Sequence, residues 1–263
     1  MTTSPLEHPP GPWTPSQQGP VLDESVVSPH QDSRVLFVVL HYTEVDLPTS
    51  LRLLTSAQVS CHYLVSDELP TRVYRLVPED RRAWHAGLSH WRGHAQLNAS
   101  SIGIEIVNPG PLKTGRGSEF APYPEHQIDT VVALVKDIVR RHGVRPEHVV
   151  GHSDIAPTRK TDPGPAFPWH RLAQEGLVAW PRDEDVARSL PAFTTQLPTV
   201  AWFQQALGEV GYSVPTHGQL DEGTRACLRA FQMKYRPARY DGQPDATTAA
   251  LLAALVRTRS TAP

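Results

Sequence analysis

Hydrophobic residues follow two periods along this chain, and a strand comes first. RVLFVVLH (34–41) is continuously apolar and β-rich, the pattern of a strand buried on both faces, and it ends at His41. CHYLVS (61–66) and RVYRLV (72–77) read as two further strands, with DELP supplying turn residues between them. SIGIEIVN (101–108) alternates: Ile102, Ile104 and Ile106 share one face, while Gly103, Glu105 and Val107 share the other. A carboxylate on that small-residue face stands out. Helical spacing takes over at 128–142, where Ile128, Val131, Val132, Val135, Ile138 and Val139 form one stripe. Arg140, Arg141 and His142 suit its C-terminal dipole, and Gly143 is a natural stop. A short helix is expected over 51–57, capped by Thr49 or Ser50. HVVGHSD reads as a strand running into a loop, and TDPGPAFPW is too proline-rich to be regular.

Beyond this region the pattern repeats. HGQLDEGTRACLRAF (217–231) aligns on DGQPDATTAALLAAL (241–255), pairing Gly218 with Gly242, Asp221 with Asp245, Thr224 with Thr248 and Leu228 with Leu252. Each copy is a glycine turn, a polar helix start and an Ala/Leu helix. With the helix expected over 199–210, closed by Gly211, this predicts a compact three-helix unit. Four regions result: a Pro-rich extension over 1–33, a main domain over 34–182, a linker over 183–198 and a small domain over 199–263. Seven of the 26 prolines fall in the first 30 residues, a composition that buries too little to offset its ordering entropy.

Composition then removes whole classes of function. Lys+Arg total 25 against 27 Asp+Glu, so no basic field attracts nucleic acid or anionic membrane. No apolar run approaches a membrane span. Two cysteines, Cys61 and Cys227, make neither a disulfide framework nor a thiolate metal site. Histidine is skewed: twelve of the 13 precede residue 171.

Three polar side chains stand where strands deliver residues to a site. His41 ends a buried strand, and His152 and Asp162 flank the loop leaving another. Two imidazoles and a carboxylate suit zinc, and three protein ligands leave a fourth position for water, the catalytic pattern. Glu105 is the candidate proton acceptor. Lys160, two residues before Asp162, would bring a cation to a developing oxyanion. From spacing alone, residue by residue, a strand-capping His41, a loop-satisfying His152 and a solvated Lys160 and Asp162 are the favoured reading, and it weakens when the loop is read as a whole.

The loop GHSDIAPTRKTDPGPAFPW resembles the signature of the type 2 N-acetylmuramoyl-L-alanine amidases, the AmpD/AmiD group related to peptidoglycan recognition proteins. LHYTE (40–44), SCHYLVS (60–66), AWHAG (83–87) and SIGIEIVN (101–108) match further blocks of that family in order, across roughly 34–182. AWFQQALGEVGY and the repeat after it resemble the small peptidoglycan-binding domain often fused to such enzymes. The resemblance implies an α/β fold with a mixed central sheet surrounded by helices. It implies zinc on His41, His152 and Asp162, Glu105 as acid/base, and Lys160 stabilising the transition state. Trp84 and His85 match a block lining the family's substrate cleft. The expected activity is hydrolysis of the amide between the muramic acid lactyl group and L-alanine, with peptidoglycan or muropeptides as partner.

Competing features are weaker. HWRGH (90–94) spaces two histidines by four, but it lacks the glutamate of HExxH, and Gly93 disfavours a helix. Cys61 opens a strand, where nothing lowers a thiol pKa. Trp84, Trp91 and Trp169 are candidates for sugar stacking, and His62 reads as structural. A non-catalytic peptidoglycan-recognition protein and a zinc peptidase cutting within the stem peptide are the alternative functions. A wall-binding tail favours the periplasm or envelope over the cytoplasm. MTTSPLEHPPGPW has neither a basic n-region nor an apolar h-region, so the export route stays open.

Overall fold

The computed structural model describes residues 25–112 and 119–260. The chain divides into two units, 1–32 and 33–263. Of the first unit, 25–32 is described: it is exposed and holds no helix or strand, with the Gln31 amide donating to the Ser28 carbonyl at 2.9 Å. The remainder of the expected Pro-rich extension, 1–24, lies outside the described residues.

The second unit is built on a five-stranded mixed sheet. In chain order the strands are β1 (Phe37–Tyr42), β2 (Tyr63–Val65), β3 (Val73–Arg75), a hairpin of β4 (His90–Trp91) and β5 (His94–Ala95), β6 (Ser101–Ile106), a second hairpin of β7 (Pro111–Leu112) and β8 (Glu119–Phe120), and β9 (Val149–Gly151). The main sheet runs β3-β2-β6-β1-β9, with β2, β6, β1 and β9 parallel and β3 antiparallel at the edge. β1 lies between two strands and all six of its residues are buried, which accounts for the unbroken apolar run RVLFVVLH.

Among the described residues eight α-helices accompany the sheet: α1 (Leu47–Leu54), α2 (Glu125–His142), α3 (His152–Ile155), α4 (Trp169–Gln174), α5 (Asp183–Thr195), α6 (Val200–Val210), α7 (Glu222–Tyr235) and α8 (Ala246–Ser260). α1 begins four residues earlier than its periodicity predicts, because Asp46, not Thr49 or Ser50, is the cap; its side chain accepts the Thr49 N–H at 3.0 Å. Pro48 fits that first turn, where its missing N–H has no intrahelical partner to lose. α2 ends as its sequence predicts, at Gly143 with φ 67°.

Each sheet face has its own cover. Val38, Leu40, Ile102, Ile104 and Ile106 pack with the apolar stripe of α2, Ile128, Val131, Val135 and Ile138. Phe37, Val39 and Val150 belong instead to one cluster with Trp91 and with Phe203, Leu228, Phe231 and Leu252 of α6, α7 and α8. The tail helices therefore share a core with the sheet. Residues 183–195, within the stretch expected to link two domains, form α5, whose acidic first turn (Asp183, Glu184, Asp185) suits the helix dipole. Arg257 of α8 donates to Ser189 of α5 at 3.0 Å.

The internal repeat is structural. Gln204 of α6 accepts the Gly218 N–H at 2.7 Å and donates to Thr224 at 2.8 Å. Gln232 of α7 does the same for Gly242 at 2.8 Å and Thr248 at 3.2 Å. Asp221 and Asp245 each accept the N–H three residues on at 2.8 Å, capping α7 and α8. The repeat thus extends back to Phe203-Gln204 and Phe231-Gln232, each glutamine holding the glycine turn that follows.

Candidate active site

The carboxyl ends of β1, β6 and β9 converge on one cleft, the usual place for ligands on parallel strands. In register, His41 pairs with Glu105 across β1 and β6, and Leu40 pairs with Gly151 across β1 and β9. His41 and Glu105 therefore project from the same sheet face, and His152 follows the last residue of β9 as the first of α3. The loop after α3 returns through Ser153, whose N–H donates to the Asp162 carbonyl at 2.8 Å. That bond brings a residue ten positions away back beside His152.

The three expected ligands meet. His41 Nδ1 and His152 Nδ1 are 3.0 Å apart, and Asp162 Oδ2 lies 2.9 Å from the first and 3.0 Å from the second. Among the described residues they are the one group of three or more His, Cys, Asp or Glu side chains placed to hold a metal ion. All three are buried. His152 Nε2 faces the Ala86 carbonyl at 3.2 Å. A carbonyl only accepts, so that nitrogen carries the proton and the Nδ1 of a neutral ring is bare. A bare imidazole nitrogen, a second imidazole nitrogen and a carboxylate oxygen cannot satisfy one another with hydrogen bonds alone. Their donor set fits a divalent cation.

Electrostatics agree. Burial, reinforced by the neighbouring His152, lowers the His41 pKa to about 4. Burial pushes the Asp162 carboxyl up, but His152 and His41 beside it outweigh that and hold it below the usual carboxylate range. Glu105 behaves oppositely. Burial, with the Asp162 charge added, raises its pKa well above the usual range, while Lys160 pulls it down. Its Oε2 is sealed from solvent and has no hydrogen-bond partner.

A cleft of about 390 Å³ opens over these groups, lined by Glu105, Lys160, Trp84 and His85 as well as the three ligand candidates. Lys160 is exposed at its lip. Trp84 is 53% exposed, with the Arg82 guanidinium 4.0 Å above its ring. His85 is buried, with Nδ1 3.0 Å from His41 Nε2 and Nε2 3.2 Å from the Ser101 hydroxyl. Sequence reasoning missed Ser101, Ala86 and Gly103. A Cβ on Gly103 would fall on the His85 ring, and this glycine inside a strand was the available signal.

The competing features resolve structurally. His90 and His94 sit in the β4–β5 hairpin around Arg92-Gly93, not on a helix. Trp91 and Trp169 are buried, the first edge-on to Tyr212 at 4.9 Å, which leaves Trp84 as the exposed candidate of the three. Burial and nearby Glu105 push the Cys61 thiol well up, the wrong direction for a nucleophile. Burial likewise raises Cys227 to about 12. His62 is structural: its Nδ1 accepts the Gly103 N–H at 3.0 Å and its Nε2 donates to the Arg81 carbonyl at 3.1 Å.

This fold and site define a chain of the N-acetylmuramoyl-L-alanine amidase family, and the protein belongs to it: the family "N-acetylmuramoyl-L-alanine amidase" matches residues 31–165. A second family, "Putative peptidoglycan binding domain", matches residues 196–252. In particular, the chain is 44% identical over 229 residues to the N-acetylmuramoyl-L-alanine amidase AmiD of Escherichia coli, covering 85% of this chain and 83% of AmiD. The solved complex of E. coli AmiD with anhydro-N-acetylmuramic acid-L-Ala-D-gamma-Glu-L-Lys superposes with a TM-score of 0.85 at 40% identity, over 94% of this chain and 98% of that one. AmpDh3 of Pseudomonas aeruginosa, in complex with anhydromuramic pentapeptide, matches with a TM-score of 0.85 at 39% identity, over 91% and 98%.

Proposed function

We propose that this protein is a zinc-dependent N-acetylmuramoyl-L-alanine amidase, hydrolysing the amide between the muramic acid lactyl group and L-alanine of the peptidoglycan stem peptide. The observation that carries the reading is the convergence of His41, His152 and Asp162 within 3.0 Å of one another at the floor of a cleft that also holds Glu105. His41, His152 and Asp162 would hold the zinc. When bound, zinc supplies Lewis acidity, polarising the scissile carbonyl and acidifying water.

The chain's own residues supply the rest. Glu105 takes the proton of the attacking water and returns it to the departing alanine nitrogen. A carboxyl lifted above its ordinary pKa is a stronger base, suited to both steps near neutral pH. Lys160 places its ammonium toward the oxyanion that develops on the lactyl carbonyl. Trp84, with Arg82 stacked on it, offers an apolar face on the rim for the muropeptide. The tail helices add affinity for polymeric wall, and the enzyme works in the periplasm or cell envelope. Among the described residues no helix is long and apolar enough to cross a membrane.

The deciding experiment is mass analysis of muropeptides digested by the purified protein. Free stem peptide beginning at L-alanine is expected. Shorter peptide fragments would establish a peptidase instead, and unchanged muropeptides a recognition protein.

A further inference from the structure

His85 matches a substrate-cleft block, yet its two ring nitrogens are turned inward. Nδ1 faces His41, Nε2 faces Ser101, and the ring packs on Gly103. The direction of each hydrogen bond follows from the far end of the chain. Ser101 has one hydroxyl proton, and its Oγ lies 2.6 Å from the Leu97 carbonyl, a group that only accepts. The proton is committed there, so Ser101 receives a hydrogen bond from His85 Nε2–H. In a neutral imidazole the proton on Nε2 leaves Nδ1 bare. That nitrogen accepts from His41 Nε2–H, which leaves His41 Nδ1 bare and aimed at His152 and Asp162.

We infer that the relay Leu97–Ser101–His85 sets the tautomer and ring orientation of His41, making His85 a positioning residue for the metal site rather than a substrate contact. The inference rests on the zinc reading above. The reason for such a relay is visible beside it. Asp162 Oδ2 lies 2.9 Å from His41 Nδ1, and in the metal-free site this carboxylate would draw the proton onto the nitrogen that must coordinate. An acceptor fixed behind the ring at 3.0 Å holds the proton on the opposite nitrogen. His152 has the same arrangement in simpler form, with the Ala86 carbonyl as acceptor. Second partners of this kind typically change metal affinity by about 10- to 100-fold when removed.

Two readouts test the relay without reference to turnover. In chelator-treated wild-type protein, long-range 1H–15N spectra should place the proton on Nε2 of both His41 and His85; a proton on Nδ1 of either ring overturns the inference. Zinc affinity from chelator competition should fall about 10- to 100-fold in His85→Leu. It should largely return in His85→Gln, whose amide oxygen can accept from His41. Ser101→Ala, a smaller change for a site where His85→Leu fails to fold, should weaken zinc less and give mixed tautomers at His85. His85→Leu that binds zinc like wild type, with a raised KM at saturating zinc, would show a substrate contact and overturn the relay alone. A wild-type protein that takes up no zinc would instead overturn the metal reading, and the tautomer spectra still judge the relay.

Discussion

At the residue scale the site separates its carboxylates by environment. Asp162 faces two imidazoles and stays ionised, whereas Glu105, one strand away from His41 in register, lines the cleft with one carboxyl oxygen, Oε2, sealed from solvent and unpartnered. One is suited to ligation, the other to carrying a proton. Replacing Glu105 by Gln preserves shape and removes the carboxyl proposed to carry the proton. The variant should retain wild-type zinc content by metal analysis while amide cleavage, followed by chromatography of muropeptides, falls about 10²- to 10⁴-fold. Lys160→Met removes the ammonium proposed to face the oxyanion and should reduce kcat by about 10²- to 10³-fold with zinc retained. Of these groups, His41, His152, Asp162, Glu105 and Lys160 were all legible in the sequence. Each stands at a strand end or in a recognisable loop. His85 was legible only as a cleft residue. Its inward role depends on Ser101, 16 residues on, whose hydroxyl becomes relevant only once β6 has formed.

At the element scale, α2 is held to the sheet by more than its apolar stripe. Glu79 accepts from Arg141 at 2.7 Å, from Tyr63 at 2.6 Å and from His142 at 2.8 Å, joining the last turn of α2 to β2. Arg141 beside it, helped by Tyr63 and His142, lowers the Glu79 pKa from 4.5 to about 2. A carboxyl whose folded pKa is depressed adds stability that is full above its unfolded pKa and lost as pH falls toward the folded one. Thermal unfolding of wild type and Glu79→Gln should therefore differ at neutral pH and converge as pH drops from 4.5 to about 2. A gap that persists unchanged to the acid end would show that Glu79 acts by packing rather than charge. Most elements were readable from periodicity, but boundaries moved where a cap decided them. Asp46 competed successfully with Thr49 and Ser50, and the Gly151 N–H bonded to the Asp154 carboxylate at 2.9 Å turns the expected loop after β9 into the single turn α3.

At the scale of the whole molecule, the tail is tied into the catalytic region through one buried ion pair. Lys234 of α7, 5% exposed, donates to Asp154 of α3 at 3.0 Å and to the Val149 carbonyl at 3.2 Å, and lies 4.2 Å over the Trp169 ring. Tyr212 donates to the other Asp154 oxygen at 2.6 Å. Asp154 is two residues from His152, so the tail braces the short helix that carries a ligand candidate. Lys234→Met leaves the Asp154 charge buried and uncompensated, which typically costs about 3–5 kcal/mol. Chemical denaturation should show that loss as a lowered midpoint of a single transition. Two separated transitions would mean that the tail and the sheet unfold independently, contrary to their shared core.

The sequence alone determined part of the local chemistry: the main sheet strands, the apolar stripe of α2, and where the glycine turns of the repeat fall. Those depend on residues within a few positions of one another, where periodicity and capping act. The tertiary structure decided what covers each sheet face and which way the histidine protons point. Both depend on contacts between residues from 16 to more than a hundred positions apart. Phe37 meets the tail helices in one core, Lys234 reaches Asp154, and Ser101 directs His85 toward His41 only after the strands are in register. Apolar pattern specifies that a face is buried, but the partner that buries it is a property of the assembled chain.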